Sequence, residues 1–566
     1  MKQASQKKSG ISVSLRYTHS KDSLRSSKYL ILIEYLNSVS IKNNSSELDY
    51  NIQSLISHRS QHIFQTYYVR SYIIWRAAMR ILYIDIDSLR PDHLSCYGYG
   101  RVTSPNIDLI ASRGGRLTNC FASDVPCLPS RTSLFSGRLG IHHGGVAHNG
   151  TRTEPFSEGQ ERRFRSSWSH TAWMRQLRDL GHRTVTFSGF GERHSAFNWY
   201  AGFQEIYDTG HFGKEIADDV TPVVLDWLNR NGKEPNWFLH VNYWDVHVPY
   251  RTPSQAGNPF ANVPLPDPWL SQEILDLHRS RPGLRSPDNA WWLHDGRRHP
   301  DRNPANLHTV DDFHKLLDGY DTSIAYVDTH VGRIMAQLMD LGIEEEVAII
   351  VSSDHGECLG ELGAYGGHCF ADACTGHVPL VICWPGATGI PAGSSSDALQ
   401  YNIDVAATVV DLLGGTVPDI WDARSFADSL RGKSPGRREL VVSQLAQSCQ
   451  RSVVFRHDSS IYFYLRSLHS AYHLLPREML FNLTCDPHET KDLAGELPEL
   501  VKEGRTRLDD WRRQMLAGSR HPDPLDTVLS EPPEVTLEKY AGWLKGTSRE
   551  HWIEKLRKEQ SSSMDL

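Results

Sequence analysis

The chain has 566 residues and a formal net charge of -7, with 39% hydrophobic and 22% charged side chains. This composition is typical of a folded protein with a sizeable core and excludes a disordered chain, a collagen and a coiled coil. The acidic balance argues against a nucleic-acid partner. No run of about 18 apolar residues occurs, so we expect no membrane-spanning helix. The nine cysteines are odd in number and scattered, which argues against a disulfide scaffold or a zinc ribbon.

Residues 1–78 differ from the rest of the chain. They hold eleven Lys and Arg against four Asp and Glu, with sixteen Ser and no Pro. This composition resembles a transit peptide, but the stretch is long and lacks a clean amphipathic helix. The apolar piece Tyr29–Ile33 is broken at once by Glu34, which argues against a secretory signal, so we expect a cytoplasmic protein. We interpret Met79 as the real start, with a genuine flexible extension as the alternative, and exclude 1–78 from the core in either case.

From residue 80 onward, short β-branched runs alternate with longer helical ones. Strands are predicted over Ile81–Asp87, Arg183–Ser188, Trp237–Tyr243 and Val347–Ser352. Helices are predicted from Ser104, with Pro105 in the first helical position, and over Trp168–Leu180, Ala217–Arg230 and Phe313–Leu341. This alternation predicts an α/β fold, in which a large and mainly parallel sheet is flanked by helices.

Polar side chains follow three of these strands. Asp87 ends the first strand, and another strand is followed by Asp245 and His247. Asp354 and His355 follow a third. In a parallel sheet ligands bind outside the carboxyl ends of the strands, so these side chains predict a functional site at that edge.

The pattern changes after residue 405. Closely spaced strands predict a smaller antiparallel sheet, followed by a helix: Leu440–Ser443, Ser452–Arg456, Ser460–Leu465 and the helix Leu497–Met515. We therefore predict a main α/β domain over 79–418, a C-terminal subdomain over 419–520 and a charged tail over 521–566.

The segment Pro126–Leu134 predicts a helix that opens at or just beyond Cys127. A group at a helix N-terminus faces unpaired backbone N–H groups and the positive end of the dipole, which suits an anion. Arg131 adds a bidentate donor for a tetrahedral oxyanion. Taken as a bare string, a cysteine before a helix is more often a packing residue.

The run Cys127-Leu128-Pro129-Ser130-Arg131 resembles the Cys-x-Pro-Ser-Arg modification signature of the sulfatase family. Other segments resemble that family in the same order along the chain: Asp85–His93, Ser136–Arg138, Trp244–Tyr250, Ser353–Glu357 and Phe481–Pro487. The resemblance covers residues 80 to about 500. By it the chain is identified as a sulfatase-like member of the alkaline phosphatase superfamily, with 79–418 as the catalytic domain.

The resemblance implies the nucleophile. It implies that a formylglycine-generating enzyme oxidises Cys127 to formylglycine. One hydroxyl of the hydrated aldehyde then attacks sulfur, and the other expels sulfate. A thiolate would be a softer nucleophile without that second hydroxyl.

A divalent metal is implied as well, in this family calcium and sometimes magnesium or manganese. By position Asp87, Asp354 and His355 are its expected ligands, together with residue 127. Many relatives have adjacent aspartates on the first strand, whereas here Ser88 follows Asp87. Asp85 lies on the same strand face as Asp87, so it is the candidate second ligand, with an inner structural carboxylate as the alternative. His355 stands where many relatives have Asn, and imidazole suits transition metals better than calcium.

Histidines supply the expected acid and base groups. His247 matches the sulfate-contacting histidine of the family and is the candidate general acid. His194 falls near the family's Lys-Trp-His segment and is the candidate base that releases sulfate, with a satisfied surface histidine as the alternative. His368 replaces a lysine common in relatives, which predicts activity favouring mildly acidic conditions unless its role is structural.

The predicted function is hydrolysis of a sulfate monoester, with a carbohydrate or aryl sulfate as substrate. Four aromatic residues could stack on its ring: Trp244, Tyr250, Trp291 and Trp292. The insert over 251–308, rich in Pro, Trp and Arg, is expected to shape the pocket. Two alternatives stay open: a phosphonate monoester or phosphodiester hydrolase on the same scaffold, and an unmodified, non-catalytic binding protein.

Overall fold

A computed structural model describes residues 79–148, 150–156, 167–294, 301–386, 391–530 and 535–564. The predicted extension over 1–78 lies outside the described residues. Within the described ranges, no helix is both long and apolar enough to cross a membrane.

Thirteen strands form two sheets within the described residues. In chain order the strands are β1 (Arg80–Ile86), β2 (Gly115–Phe121), β3 (Asp124–Val125), β4 (Arg183–Phe187), β5 (Glu205–Tyr207), β6 (Trp237–Tyr243), β7 (Val347–Ser352), β8 (His377–Cys383), β9 (Ser394–Tyr401), β10 (Glu439–Gln444), β11 (Cys449–His457), β12 (Ser460–His469) and β13 (Glu478–Asn482). The large sheet has the order β5-β4-β6-β1-β7-β8-β2-β9, and only β8 runs antiparallel to its neighbours. The predicted α/β fold with a large, mainly parallel sheet is confirmed.

The α-helices lie mostly between the strands. In chain order they are α1 (Pro105–Arg113), α2 (Cys127–Ser136), α3 (Gly140–His143), α4 (Ser167–Thr171), α5 (Trp173–Asp179), α6 (Phe190–Arg193), α7 (Ala217–Asn231), α8 (Gln272–Ser280), α9 (Trp291–His294), α10 (Val310–Asp340), α11 (Ala373–Gly376), α12 (Asp404–Leu412), α13 (Ala427–Leu430), α14 (Pro498–Leu516), α15 (Pro524–Ser530), α16 (Leu537–Leu544) and α17 (Ile553–Met564). Pro105 opens α1, and Gly137 follows α2 in a left-handed conformation, as helix-end chemistry requires.

One predicted helix is divided. The stretch predicted as Trp168–Leu180 forms α4 and α5, because Ala172 is extended (φ -54°, ψ 141°). The carbonyl of Thr171 at this break accepts a hydrogen bond from the Trp421 indole (2.8 Å). A partner about 250 residues away therefore satisfies the group that a continuous helix would have paired, and sequence periodicity cannot reveal such a partner.

The large sheet separates two hydrophobic cores. Ile81 and Tyr83 of β1 face one core, while Leu82 and Ile84 face the other, which follows the period of two along a strand. Helices α7 and α10 cover the second core, and α2, α5, α12 and the small sheet pack on the first. Strand β1 is buried on both faces, so its polar carboxyl end is the part available for chemistry.

The small sheet has the order β13-β12-β11-β10-β3 and confirms the predicted second sheet. Strands β10 to β13 pair antiparallel, whereas β3 pairs parallel with β10. Because β3 ends two residues before Cys127, the small sheet supports the approach to that cysteine. Residues 524–564 contain α15 to α17 among their described positions, and Leu537, Tyr540 and Leu544 of α16 are buried.

Candidate active site

The carboxyl ends of β1 and β7 meet the N-terminus of α2. Asp87 directly follows β1, Asp354 lies two residues beyond β7, and Cys127 is the first residue of α2. The three side chains are at most 1% exposed. Their sequence separation is large, so their proximity comes from the parallel pairing of β1 with β7.

Arg131 balances the carboxylates of this site. Its Nη1 donates to Oδ2 of Asp87 (2.9 Å) and to Oδ2 of Asp354. Its Nε donates to Oδ2 of Asp85 (2.9 Å). The guanidinium is fully buried, with its carbon 4.8 Å from the ring centre of Phe190 and 5.5 Å from that of Trp244. Arg131 therefore holds three acidic groups from two strands in one cluster.

Four side chains offer ligand atoms within 4.8 Å of one another: Asp87, Cys127, Asp354 and His355. The Nε2 of His355 lies 3.0 Å from the Sγ of Cys127. The Nδ1 of His355 donates to the carbonyl of Gly356 (2.7 Å), which leaves a lone pair on Nε2. Neutral imidazole, two carboxylates and the group at position 127 form a donor set that suits a divalent cation.

The pKa values of the carboxylates show that negative charge is crowded here. Burial alone would raise the pKa of Asp87, but the charge of Arg131 holds it below the usual range. Burial raises the pKa of Asp354 well above the usual range, and the charges of Asp87 and Asp85 oppose the effect of Arg131 on it. One guanidinium does not neutralise all three groups, so a further positive charge would stabilise the cluster.

Asp85 lies apart from the four-ligand group. Its Oδ2 accepts from Arg131 and lies 3.2 Å from Nε2 of His240, whose Nδ1 is 2.9 Å from the Thr186 hydroxyl. Its Oδ1 is buried and has no hydrogen-bond partner among the described residues. The contacts of Asp85 are those of a carboxylate that orients Arg131, and ligation of a metal by Asp85 stays a prediction.

Four further histidines surround the cysteine and His355. The ring centre of His368 lies 4.5 Å from that of His355, 5.3 Å from that of His247 and 6.0 Å from that of His148. The rings of His148 and His194 are 5.0 Å apart. The structure therefore brings all three predicted catalytic histidines, His194, His247 and His368, into one cluster with His355, which contacts Cys127.

These histidines are neutral near pH 7. Burial, together with the charge of Arg193, lowers the pKa values of His247 and His148 to about 3. Burial and three neighbouring histidines lower the pKa of His368 well below its usual range. The expected preference for mildly acidic conditions required a charged His368, and the surroundings of this side chain argue against that charge.

Arginines supply the positive charge that these histidines lack. Arg193, Arg251 and Arg285 each act electrostatically on one or more of His148, His247 and His368. All three arginines are only partly buried, unlike Arg131, and Arg193 stacks 4.9 Å from the ring centre of Trp244. The surroundings of these histidines are thus positively charged and suit an anion.

Three of the four aromatic residues do not take the predicted role. Trp244, Tyr250 and Trp292 are at most 1% exposed. The indole of Trp292 donates to the carbonyl of Pro304 (3.0 Å), and the ring of Trp244 contacts Arg131 and Arg193. These three rings are packing residues here, while the side chain of Trp291 lies outside the described part of the chain.

Sequence reasoning missed a buried acid beside the site. Glu357 is fully buried, and burial and the charge of Asp87 raise its pKa well above the usual range. Neither carboxylate oxygen has a hydrogen-bond partner among the described residues. The sequence signal for Glu357 was its position at the end of the functional segment Ser353–Glu357. Only the fold shows that its side chain is buried.

Comparisons with known proteins find relatives over the part of the chain that contains this site. A family model described as Sulfatase matches residues 80–415. Human iduronate 2-sulfatase is 27% identical over 55% of this chain, and the match spans 60% of that enzyme's own length. An N-acetylglucosamine-6-O-sulfatase of Bacteroides thetaiotaomicron is 23% identical over 81% of this chain and 90% of its own. The crystal structure of a phosphonate monoester hydrolase of Agrobacterium radiobacter superposes with a TM-score of 0.56 and 20% identity, over 77% of this chain and 96% of its own.

Proposed function

Because the chain belongs to the sulfatase family, we propose that it hydrolyses a sulfate monoester with a formylglycine formed from Cys127 and a divalent metal. One observation carries the proposal. The side chain of residue 127 lies at a helix N-terminus, 3.0 Å from His355 and grouped with two carboxylates that Arg131 also contacts.

An unmodified Cys127 fits the chemistry poorly. Burial and the charges of Asp87 and Asp354 raise the pKa of its thiol well above the usual range. The reactive thiolate is therefore scarce at neutral pH, and the residue needs another route to a nucleophile. Oxidation to formylglycine provides one, and its hydrate also offers oxygen atoms, which a hard cation prefers to sulfur.

The donor set fits a metal ion. Asp87, Asp354 and His355 would hold it beside residue 127, and their unbalanced negative charge favours a cation. When bound, the metal and the formylglycine hydrate supply an activated oxygen nucleophile and offset the charge of the sulfuryl oxygens. Calcium is our proposal because carboxylate oxygens favour a hard ion, with magnesium or manganese as alternatives.

The remaining roles belong to side chains of this chain. Arg131 holds the carboxylates in position through its hydrogen bonds. The arginines around the histidines attract the sulfate group. His247 donates from Nδ1 to the carbonyl of Val248, so Nε2 is the nitrogen that would carry the proton delivered to the ester. An anionic ester placed against His247 would raise its pKa and let it protonate the leaving oxygen. We assign His194 as the base that releases sulfate and His368 as a sulfate contact.

We further propose a sulfated carbohydrate as the substrate. The two relatives described above are named as an iduronate 2-sulfatase and an N-acetylglucosamine-6-O-sulfatase. The partly exposed Arg251 and Arg285 both belong to the insert over 251–308, where a second sulfate or carboxylate of such a glycan would be attracted. A panel of sulfated sugars tests this substrate class, with an aryl sulfate as the reference.

Mass spectrometry tests the nucleophile directly. Trypsin releases Leu117–Arg131, which contains both Cys120 and Cys127. In protein coexpressed with a formylglycine-generating enzyme, residue 127 should carry an aldehyde, while Cys120, a fully buried core residue, should be alkylated as a normal thiol. If both cysteines of this peptide are alkylated, the chain is the unmodified binding protein and the proposal fails.

A phosphonate monoester or phosphodiester hydrolase is the second candidate. It is favoured by the structural likeness to such an enzyme. Turnover of an aryl sulfate and an aryl phosphonate should be compared on the same modified preparation. Higher kcat/KM for the phosphonate would replace the proposed sulfatase activity.

A further inference from the structure

A second group of metal-binding side chains lies outside the site described above. Cys358, Asp372 and Cys374 bring two sulfur atoms and a carboxylate oxygen within 4.8 Å of one another, and all three residues are buried. The Oδ2 of Asp372 lies 3.2 Å from the Sγ of Cys374 and 3.5 Å from that of Cys358. None of these residues has a role in the proposed hydrolysis.

The distances match the edges of a zinc tetrahedron. With Zn–S near 2.3 Å and Zn–O near 2.1 Å, neighbouring sulfur and oxygen ligands lie about 3.6 Å apart and two sulfurs about 3.8 Å apart. The two S···O distances of the cluster fall slightly below the first value. The two measured distances are therefore compatible with a zinc ion held by these three side chains.

The carboxylate of Asp372 is arranged to leave one oxygen for a ligand. Its Oδ1 accepts the N–H of Thr375 (3.1 Å) and thereby caps α11. Its Oδ2 contacts only the two thiols among the described hydrogen bonds, and a thiol is a weak donor. A buried carboxylate oxygen with such weak partners is costly unless a cation or a stronger donor reaches it.

Glu489 lies next to these three residues and is the candidate fourth ligand. It is buried, its Oε2 accepts the N–H of Ala373 (3.2 Å), and its Oε1 has no hydrogen-bond partner among the described residues. Glu489 also adopts a left-handed backbone conformation (φ 52°), which costs a non-glycine residue about 1 kcal/mol or more. Neither Glu489 nor Asp372 forms a salt bridge within the described part of the chain, so the two neighbouring acids lack a neutralising partner.

We propose that Cys358, Cys374, Asp372 and Glu489 form a structural zinc site. Two thiolates select zinc over calcium, because sulfur is a soft ligand. Binding converts two thiols to thiolates and releases their protons to solvent. Cys358 and Cys374 lie on either side of His368 in the sequence. The ion would therefore fix the segment that carries His368 next to Asp354 and His355.

Metal content of the full-length protein tests the site. Zinc is measured after gel filtration in the Asp87→Asn/Asp354→Asn variant, in which the first site lacks its carboxylates. We expect about one zinc ion per chain in this variant, and its loss when Cys358→Ser or Cys374→Ser is added. Cys369→Ser is the matched control, since Cys369 is a buried cysteine of the same segment outside the cluster, and it should retain zinc.

Cobalt substitution gives a second readout that does not depend on sulfatase activity. Cobalt bound by thiolates absorbs in the near ultraviolet, and this band should be present in the background variant and weaker in each single cysteine variant. Asp372→Asn keeps the capping oxygen and the side-chain volume, so the variant should fold. Its affinity for zinc should fall by about 10- to 100-fold or more, since loss of an outer partner of a metal already costs about 10- to 100-fold. Zinc-free background protein, or equal zinc in the Cys358→Ser and Cys369→Ser variants, would overturn the proposal.

Discussion

At the scale of single residues, charge balance dominates the site. Arg131 is buried with three carboxylates, and no sequence pattern would assign it more than a substrate contact. Predicting Asp87 and Asp354 as neighbours was possible because both follow predicted strands. The contact of Asp85 with Arg131 and His240 was not predictable, since it depends on which strand lies next to β1.

Replacing Arg131 by Ala should destabilise the fold. Removing one partner of a buried ion pair leaves uncompensated charge, and the free energy of unfolding should fall by about 3 to 5 kcal/mol in the presence of a chelator. Added calcium should restore part of this loss if the metal neutralises the same carboxylates. Urea unfolding with and without calcium measures both effects. A change below about 1 kcal/mol would show that Arg131 does not balance these acids.

Asp245 should make stability depend on pH. Burial raises its pKa to about 7, and its Oδ2 has no partner among the described residues. Because the folded pKa exceeds the unfolded value of about 4, its contribution is complete below pH 4 and is lost as the pH rises through 7. Between pH 5 and pH 8 this loss is about 2 to 3 kcal/mol.

Asp245→Asn should therefore flatten the pH dependence of the free energy of unfolding, measured with urea at pH 5 and pH 8. Asp340→Asn is the matched control, because Asp340 is exposed at the end of α10. Parallel pH profiles for wild type and Asp245→Asn would contradict the assignment.

At the scale of elements, the position of the loop after β7 depends on a close contact between its backbone and that of α11. Gly356 donates its N–H to the carbonyl of Thr375 (2.8 Å), and a Cβ at this position would lie 2.0 Å from the carbonyl oxygen of Cys374. The loop thus packs directly against α11, which holds His355 in place. The sequence contains the glycine, but only the packed pair of segments shows why it is needed.

Gly356→Ala should move His355 and weaken the fold. The clash is with backbone, so we expect a loss of about 1 to 3 kcal/mol in the free energy of unfolding, together with a lower kcat. Gly495→Ala is the control, since nothing lies within 4 Å of a Cβ built there. Urea unfolding and steady-state kinetics of both variants give the comparison. Equal behaviour of the two variants would contradict the close approach.

At the scale of the whole molecule, the C-terminal part is joined to the small sheet by a buried ion pair. Arg451 of β11 makes two hydrogen bonds of 2.6 Å to Asp523, which precedes α15. Both residues are at most 4% exposed. This contact links positions that the sequence analysis assigned to different regions, and the predicted division into 79–418, 419–520 and 521–566 stays a prediction.

Asp523→Asn should leave Arg451 buried with a weakened partner and lower the free energy of unfolding by about 3 kcal/mol. Burial would raise the pKa of Asp523, but its bonds to Arg451 and Arg512 lower it below the usual range. The pair therefore stabilises the fold above about pH 4 and loses this effect as the pH falls, so the variant and wild type should converge in acid. Asp526→Asn, at a half-exposed partner of Arg512, should change stability by less than about 1 kcal/mol. An equal effect of the two substitutions in thermal or urea unfolding would contradict the distinction.

The sequence by itself determined the strands β1, β6 and β7, the helix that opens at Cys127 and the order of the functional segments. These features depend on near neighbours along the chain, through periodicity, proline and glycine at helix ends, and polar residues that follow strands. Only the tertiary structure decided the antiparallel β8, the partners of Asp85 and Arg131, the neutral state of His368 and the cluster around Asp372. Charge state and ligand geometry depend on contacts between groups that are far apart in the sequence. Local sequence patterns carry no information about such contacts.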